Sequence, residues 1–154
     1  MYLADLLNIR DITVNDRDEY LNMYKELYDS DATTTDYDEE IAILNFNNAI
    51  SGSKSIRCLI LEYKDMVLGY AFLSFSYSTS SASQCIWLED LFIKEPARKK
   101  GVGSYFITWL VEEYKNKAKT IKLEVTKNNV HARKFYERLN FSESGYMEMY
   151  LKFK

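Results

Sequence analysis

The chain has 154 residues, 47% hydrophobic and 28% charged, a balance that buries a core and excludes a disordered protein. A formal net charge of −3 and a sequence pI near 5.3 argue against nucleic acid as the main partner. No apolar run approaches a membrane span, Met1 to Arg10 lacks the basic-then-apolar order of a signal peptide, and Cys58 and Cys85 show no C-x-x-C spacing, so one domain over residues 1–154 in a reduced, cytoplasmic setting is expected.

In chain order, Asn8 to Thr13 reads as a short strand. Asp16 with Glu19 has capping-box spacing, and Tyr20, Tyr24, Leu27 and Tyr28 fall on one helical face. An acidic connector, Asp29 to Thr35, leads to a second helix opened by Asp36 with Glu39, with Ala42, Phe46, Ala49 and Ile50 on its face and Gly52 as its stop. From Ser55 the pattern becomes β-rich. Ile56–Tyr63 and Val67–Tyr77 form a hairpin about Lys64-Asp65-Met66, and Ser76–Ser83 is a loop.

Gln84 to Ile93 is the next strand, and the sequence around its end organises the chain. Trp87-Leu88-Glu89-Asp90-Leu91-Phe92-Ile93 runs into the only proline, Pro96, then Arg98-Lys99-Lys100-Gly101-Val102-Gly103-Ser104 opens a helix carrying Val102, Phe106 and Leu110 on its buried stripe. Glycines one residue apart at a helix start bare the backbone where N–H groups and the helix dipole favour an anion, and three basic side chains stand beside them. The pattern suggests a pyrophosphate cradle. It is neither a P-loop, which needs G-x-x-x-x-G-K-[ST], nor the three-glycine dinucleotide fingerprint. Thr120 to Thr126 alternates as a strand, and Asn128-Asn129 precedes a helix with Ala132, Phe135, Tyr136 and Leu139 on one face. Asn140 stands where glycine usually ends such a helix, and asparagine tolerates that left-handed position. Phe141 and Tyr146–Lys154 read as a closing pair of strands.

Arg98-x-x-Gly101-x-Gly103 after an apolar strand resembles motif A of the GCN5-related N-acetyltransferases, and Asn129 to Phe141 resembles their motif B, departing mainly at Asn140. The resemblance covers the chain from about Ile9, with Trp87 to Phe141 carrying nearly all of it. It implies a single-domain α/β fold: a mixed, mostly antiparallel sheet flanked by about four helices, with a V-shaped splay between Gln84–Ile93 and Thr120–Thr126. It also implies acetyl-CoA as co-substrate and no metal. Backbone from Leu91, Phe92, Ile93 and Lys94 would pair with the pantetheine arm, and Arg98, Lys99, Lys100, Gly101, Val102, Gly103 and Ser104 would hold the pyrophosphate. Asn129, Ala132 and Phe135 would line the arm, with Tyr136 beside the thioester sulfur. A strand bulge near Glu89–Leu91 would turn an amide toward the thioester carbonyl. Dimers are common in the family, so a homodimer is one expected assembly.

Transfer of an acetyl group to an amine needs a base for the ammonium, whose lysine-like pKa is about 10.4, and an acid for the departing thiolate. Glu89 is the candidate base. Regular alternation puts it with Trp87, Leu91 and Ile93, among apolar neighbours that raise a carboxylate pKa, and puts Asp90 on the other face with Leu88 and Phe92. Leu88-Glu89-Asp90 also resembles the Leu-Glu-Asp of the spermidine/spermine (diamine) acetyltransferase branch, where that glutamate is the proposed base. Glu89 reads equally as a satisfied structural acid. Tyr136 is the candidate acid, or a core residue of its helix; His131 reads as an exposed helix residue and the cysteines as small core residues.

Tyr28, Asp31, Tyr37 and Asp90, together with Asp29, Asp36, Asp38, Glu39 and Glu40, could draw in a cationic amine, although acids at helix starts also serve as caps. A small polycation such as a polyamine or aminoglycoside is the expected acceptor. The alternatives are a protein or peptide amine, a non-catalytic acyl-CoA-binding module, and, disfavoured by charge, a nucleic-acid-binding domain.

Overall fold

The computed structural model describes residues 6–154; residues 1–5, the start of the stretch read against a signal peptide, lie outside it. Five strands run in spatial order β1 (Leu7–Asp11), β2 (Ile56–Tyr63), β3 (Met66–Ser78), β4 (Ser83–Ile93) and β5 (Ala118–Leu123). The first four pair antiparallel, and β5 joins β4 in parallel. Helices α1 (Arg17–Tyr28) and α2 (Glu39–Ile50) cover one face, and α3 (Val102–Tyr114) and α4 (Val130–Arg138) cover the other.

Alternation along the central strands builds both cores at once. Leu59, Leu61, Ala71 and Leu73 face Phe106 and Leu110 of α3, while Cys58, Ile60, Tyr70 and Phe72 face Tyr20, Met23 and Phe46 of α1 and α2. Both cysteines are buried and unpaired with each other. The β2–β3 turn places Lys64 and Asp65 at positive φ, 47° and 64°, as a tight hairpin turn requires. Gly69 lets β3 and β4 approach: a Cβ there would lie 2.2 Å from the Phe92 carbonyl oxygen.

Three local expectations are corrected. Asp16 does not pair with Glu19. Its carboxylate accepts two hydrogen bonds from the Arg10 guanidinium, at 2.8 and 2.9 Å, and one from the Thr13 backbone N–H at 2.7 Å, so an ion pair outcompetes the cap. The cap of α2 is Asp38 rather than Asp36, accepting from the N–H groups of Glu40 and Ile41. The closing strands at Phe141 and Tyr146–Lys154 do not form. Their alternation is that of a strand, but a strand exists only by pairing, and among the described residues nothing pairs with them. Asn140 does take the left-handed helix end expected of it, with φ 68°. Among the described residues, no helix is long and apolar enough to cross a membrane.

Candidate active site

Pairing between β4 and β5 ends at Leu88 and Leu123, while β4 runs on to Ile93. The two strands therefore part at this point, as the splay requires. On the β3 side the register steps from Leu73–Leu88 to Phe72–Asp90, which leaves Glu89 as the extra residue of a β-bulge. The bulge was expected in this stretch, but its effect on the side chains was not. It reverses the alternation, so Leu91 and Ile93 join Ile86 and Leu88 on the α3–α4 face, and Phe92 goes to the α1–α2 core. The expectation that Glu89 shares an apolar face with Leu91 and Ile93 fails for this reason. Glu89 is exposed, and its Oε1 accepts from the Ser74 hydroxyl at 2.6 Å.

Asp90 is the buried carboxylate instead, 7% exposed, accepting from the Tyr28 hydroxyl at 3.0 Å and from the Tyr70 hydroxyl at 2.9 Å. Burial pushes its pKa up to about 6 against the opposing pull of those hydroxyls. The tyrosines respond in kind: burial first, then the nearby Asp90, keeps Tyr28 and Tyr70 protonated well beyond the usual range.

A cavity of about 1630 Å³ opens beside the end of β4. Leu91, Phe92 and Ile93 form its floor, and the start of α3 forms one wall. Gly101 begins that helix at φ 82°, a conformation glycine adopts without strain, and no side chain caps it. The first backbone N–H groups of α3 thus lack partners of their own helix where Gly101, Val102, Gly103 and Ser104 line the cavity, and they point positive charge at whatever enters. Gly103 serves packing as well, since a Cβ there would meet the Phe135 ring at 3.0 Å. Arg98 is held by its Nε donating to the Ile93 carbonyl at 2.8 Å, with the guanidinium over the Phe92 ring.

The start of α4 forms the next wall. Asn129 caps that helix by accepting from the Ala132 N–H at 3.1 Å, and both residues line the cavity with Phe135 and Tyr136. Tyr136 lies edge-on to Phe135 and Phe141, and burial pushes its hydroxyl up to about 12, so it holds its proton at neutral pH. Across the cavity stands the α1–α2 connector, with Tyr28, Asp29, Asp31, Asp36 and Tyr37. Tyr24 stacks on Tyr28 at 4.1 Å and stiffens that wall.

Most of the expected site residues are thus brought together, and a few are not. Lys100 and Lys94 lie outside the lining, Lys94 being engaged by Glu19. Asp38, Glu39 and Glu40 belong to the start of α2 and are not in the cavity lining; Asp38 caps that helix, and Glu39 and Glu40 stand in its first turn. Glu89 and Asp90 are not in the wall either, and Asp90 acts behind Tyr28. Several contributors were missed, Glu26, Thr126 and Arg138 among them. Glu26 lies near the end of α1, two residues before Tyr28. Thr126, whose hydroxyl is buried without a partner, lies just past the end of β5. Arg138 is the last residue of α4. His131 is exposed, as expected, yet also borders the cavity.

The model of the family described as acetyltransferase (GNAT) matches residues 17–141. A spermine/spermidine N(1)-acetyltransferase of Bacillus subtilis (strain 168) is 28% identical over 92 residues, 57% of this chain. The chain matches 60% of the length of that relative. Among solved structures, a protein from Clostridium difficile 630 described as a possible acetyltransferase superposes with a TM-score of 0.86 at 17% identity, over 97% of this chain and 99% of that one. AAC(6')-Iy in complex with the bisubstrate analogue CoA-S-monomethyl-acetylneamine superposes with a TM-score of 0.79 at 16% identity, over 96% and 99%.

Proposed function

The chain belongs to the acetyltransferase (GNAT) family, and we propose that it moves the acetyl group of acetyl-CoA directly to a primary amine of a small cationic molecule, a polyamine or an aminoglycoside. The domain that does so spans residues 1–154, works without a metal, and suits a reducing cytoplasm because both thiols are free and buried. The observation that carries the proposal is the two-sided cavity. One wall offers an uncapped helix N-terminus with Arg98 and Lys99, suited to a pyrophosphate, and the facing wall offers Glu26, Asp29, Asp31 and Asp36 with Tyr28 and Tyr37, suited to a polycation. The spermine/spermidine relative and the acetylneamine complex agree with that choice of acceptor.

Acetyl-CoA supplies an activated thioester. Backbone of Leu91 to Ile93 would align the pantetheine arm between β4 and α4, with Asn129, Ala132 and Phe135 along it. The unpaired residue of the bulge frees a backbone N–H for the oxygen that gains charge as the amine adds. Tyr136 holds a proton for the departing sulfur. Glu89, exposed where β4 and β5 part, takes the proton from the amine, directly or through water.

The test is CoA thiol release from acetyl-CoA with spermidine, an aminoglycoside and lysine or N-terminal peptides offered in turn. Tyr136→Phe and Glu89→Gln run beside the unaltered chain. Release with a polycation, reduced in both variants, is the expected result. Release only with peptides overturns the acceptor. Binding of acetyl-CoA without release to any amine overturns the enzyme and leaves an acyl-CoA-binding module.

A further inference from the structure

Asp90 is a buried acid that the chemistry above leaves without a task. Around it stand Tyr20, Tyr24 and Tyr28 of α1, Tyr70 of β3, Cys58 of β2 and its chain neighbour Glu89. No basic side chain among the described residues pairs with it. Of its two hydrogen-bond donors, Tyr70 is fully buried, whereas Tyr28 lines the cavity. The Tyr20 hydroxyl is buried without a partner, so it offers no way out. Tyr28 is therefore the one hydrogen-bonded path from the acid to the cavity among the described residues.

The second tyrosine fixes how that path conducts. The Tyr70 hydroxyl has no partner but Asp90 Oδ2, at 2.9 Å, so Oδ2 stays an acceptor whatever the charge on the acid. A proton arriving at Asp90 must settle on Oδ1, 3.0 Å from the Tyr28 oxygen. From there it donates back to Tyr28 and turns the tyrosine's own proton toward the cavity. While Asp90 is ionised the bond runs the other way. Tyr28 then gives its proton to Oδ1 and shows the cavity only lone pairs, which accept from an N–H.

We propose that Tyr28 and Asp90 form a proton relay: a proton of the acceptor nitrogen passes to the Tyr28 oxygen as the Tyr28 proton passes to Asp90 Oδ1. The relay rests on the transfer to an amine proposed above and completes its proton balance. An ammonium sheds two protons on becoming an amide N–H. Glu89 takes the first, from the open side where β4 and β5 part, and the relay takes the second, from the α1–α2 wall. Tyr136 gives one proton to the departing sulfur and regains it from solvent. Both carboxyls return theirs to solvent, so one proton is released per turnover. Burial, opposed by the two hydroxyls, sets Asp90 to titrate at about 6, where an acid is ionised at neutral pH and close enough to it to accept readily.

The test is kcat against pH on the full chain, with acetyl-CoA and spermidine or an aminoglycoside as acceptor. In the unaltered chain kcat is expected to fall on the acid side through about 6, the value at which Asp90 titrates in a carboxyl NMR titration of the ligand-free chain. Asp90→Asn and Tyr28→Phe are each expected to lower kcat by about 10²-fold, to abolish that acid limb and to leave acetyl-CoA affinity unchanged. The double variant is expected to be no slower than either single one, because the two groups act as a unit. Tyr28→Phe keeps the ring stacked on Tyr24, so it reports on the relay even if Asp90→Asn fails to fold. An acid limb that survives in either variant, or losses that multiply in the double variant, overturns the relay alone. An unaltered chain that acetylates no amine overturns the function and the relay together.

Discussion

The Tyr28 hydroxyl donates to Asp90 Oδ1 at 3.0 Å, joining the last turn of α1 to the strand just past the bulge, 62 residues away in sequence. This bond ties the α1–α2 wall of the cavity to a buried acid whose pKa burial raises from 3.8 to about 6. A raised pKa means that the fold prefers the protonated form. The contribution of Asp90 is complete below about pH 3.8 and is lost as pH rises through about 6. A shift of this size corresponds to on the order of 3 kcal/mol. In Asp90→Asn that slope is expected to vanish, so the stability difference between unaltered chain and variant should change between pH 4 and 6 and level off above. Denaturant midpoints measured across that range check it.

Asp16 predicts the opposite sign. The Arg10 guanidinium, then its other donors, holds this carboxyl below its usual 3.8. Its contribution is present above pH 3.8 and disappears as pH falls through the lower folded value. Asp16→Asn should cost about 2 kcal/mol at pH 7, the scale of hydrogen bonds to a charged partner, and much less in acid. Thermal unfolding at pH 7 and pH 3 separates the two.

Tyr136→Phe keeps the ring between Phe135 and Phe141 and removes only the proton. With the acid role proposed for it, kcat should fall by about 10²-fold or more, the scale of one general acid, while acetyl-CoA binding and the melting temperature stay near those of the unaltered chain. Equilibrium binding beside steady-state rates distinguishes this from a packing role, which would move stability instead.

Two glycines should respond differently to alanine. At Gly69 the added Cβ meets the Phe92 backbone oxygen at 2.2 Å, and a backbone atom of a paired strand cannot yield locally. A loss of about 3 kcal/mol is expected, at the upper end of ordinary overpacking. At Gly103 the obstacle is the Phe135 ring at 3.0 Å, which can give by a few tenths of an ångström. There the loss should be about 1 kcal/mol, accompanied by weaker acetyl-CoA binding as α3 and α4 are pushed apart. Chemical denaturation and a binding titration measure both.

The sequence carried the elements and most of the cavity because period and punctuation are local signals. Ala42 and Phe46, the Gly101–Gly103 spacing and the Asn129 cap all report on neighbours a few residues away. What it did not carry depends on distant partners. Asp16 looks like a cap until Arg10 arrives from β1 to claim it. Glu26 and Thr126 join the cavity only because the α1 end and the β5 end are brought around it. Tyr146–Lys154 has every local mark of a strand and yet pairs with no strand among the described residues. Glu89 and Asp90 exchange environments for the same reason, since a bulge is set by the pairing of β3 with β4 and leaves the alternating pattern of either strand unmarked.

That bulge has a consequence for which changes in chain length β4 can accept. With Glu89 taken out of the count, Leu88, Asp90, Leu91, Phe92 and Ile93 alternate without a break, each toward the core it occupies. The pleat is therefore one residue longer than its packing requires. Deleting Glu89 should leave both cores in phase and the strand regularly paired, abolishing only the unpaired backbone and the carboxylate beside the parting strands. Deleting Leu88 or Asp90 instead would also remove the bulge, but would carry the Glu89 carboxylate into a buried position, against the α3–α4 core or in place of Asp90. Loss of Glu89 itself disturbs the layers least, and Glu89 is the residue proposed above as the base.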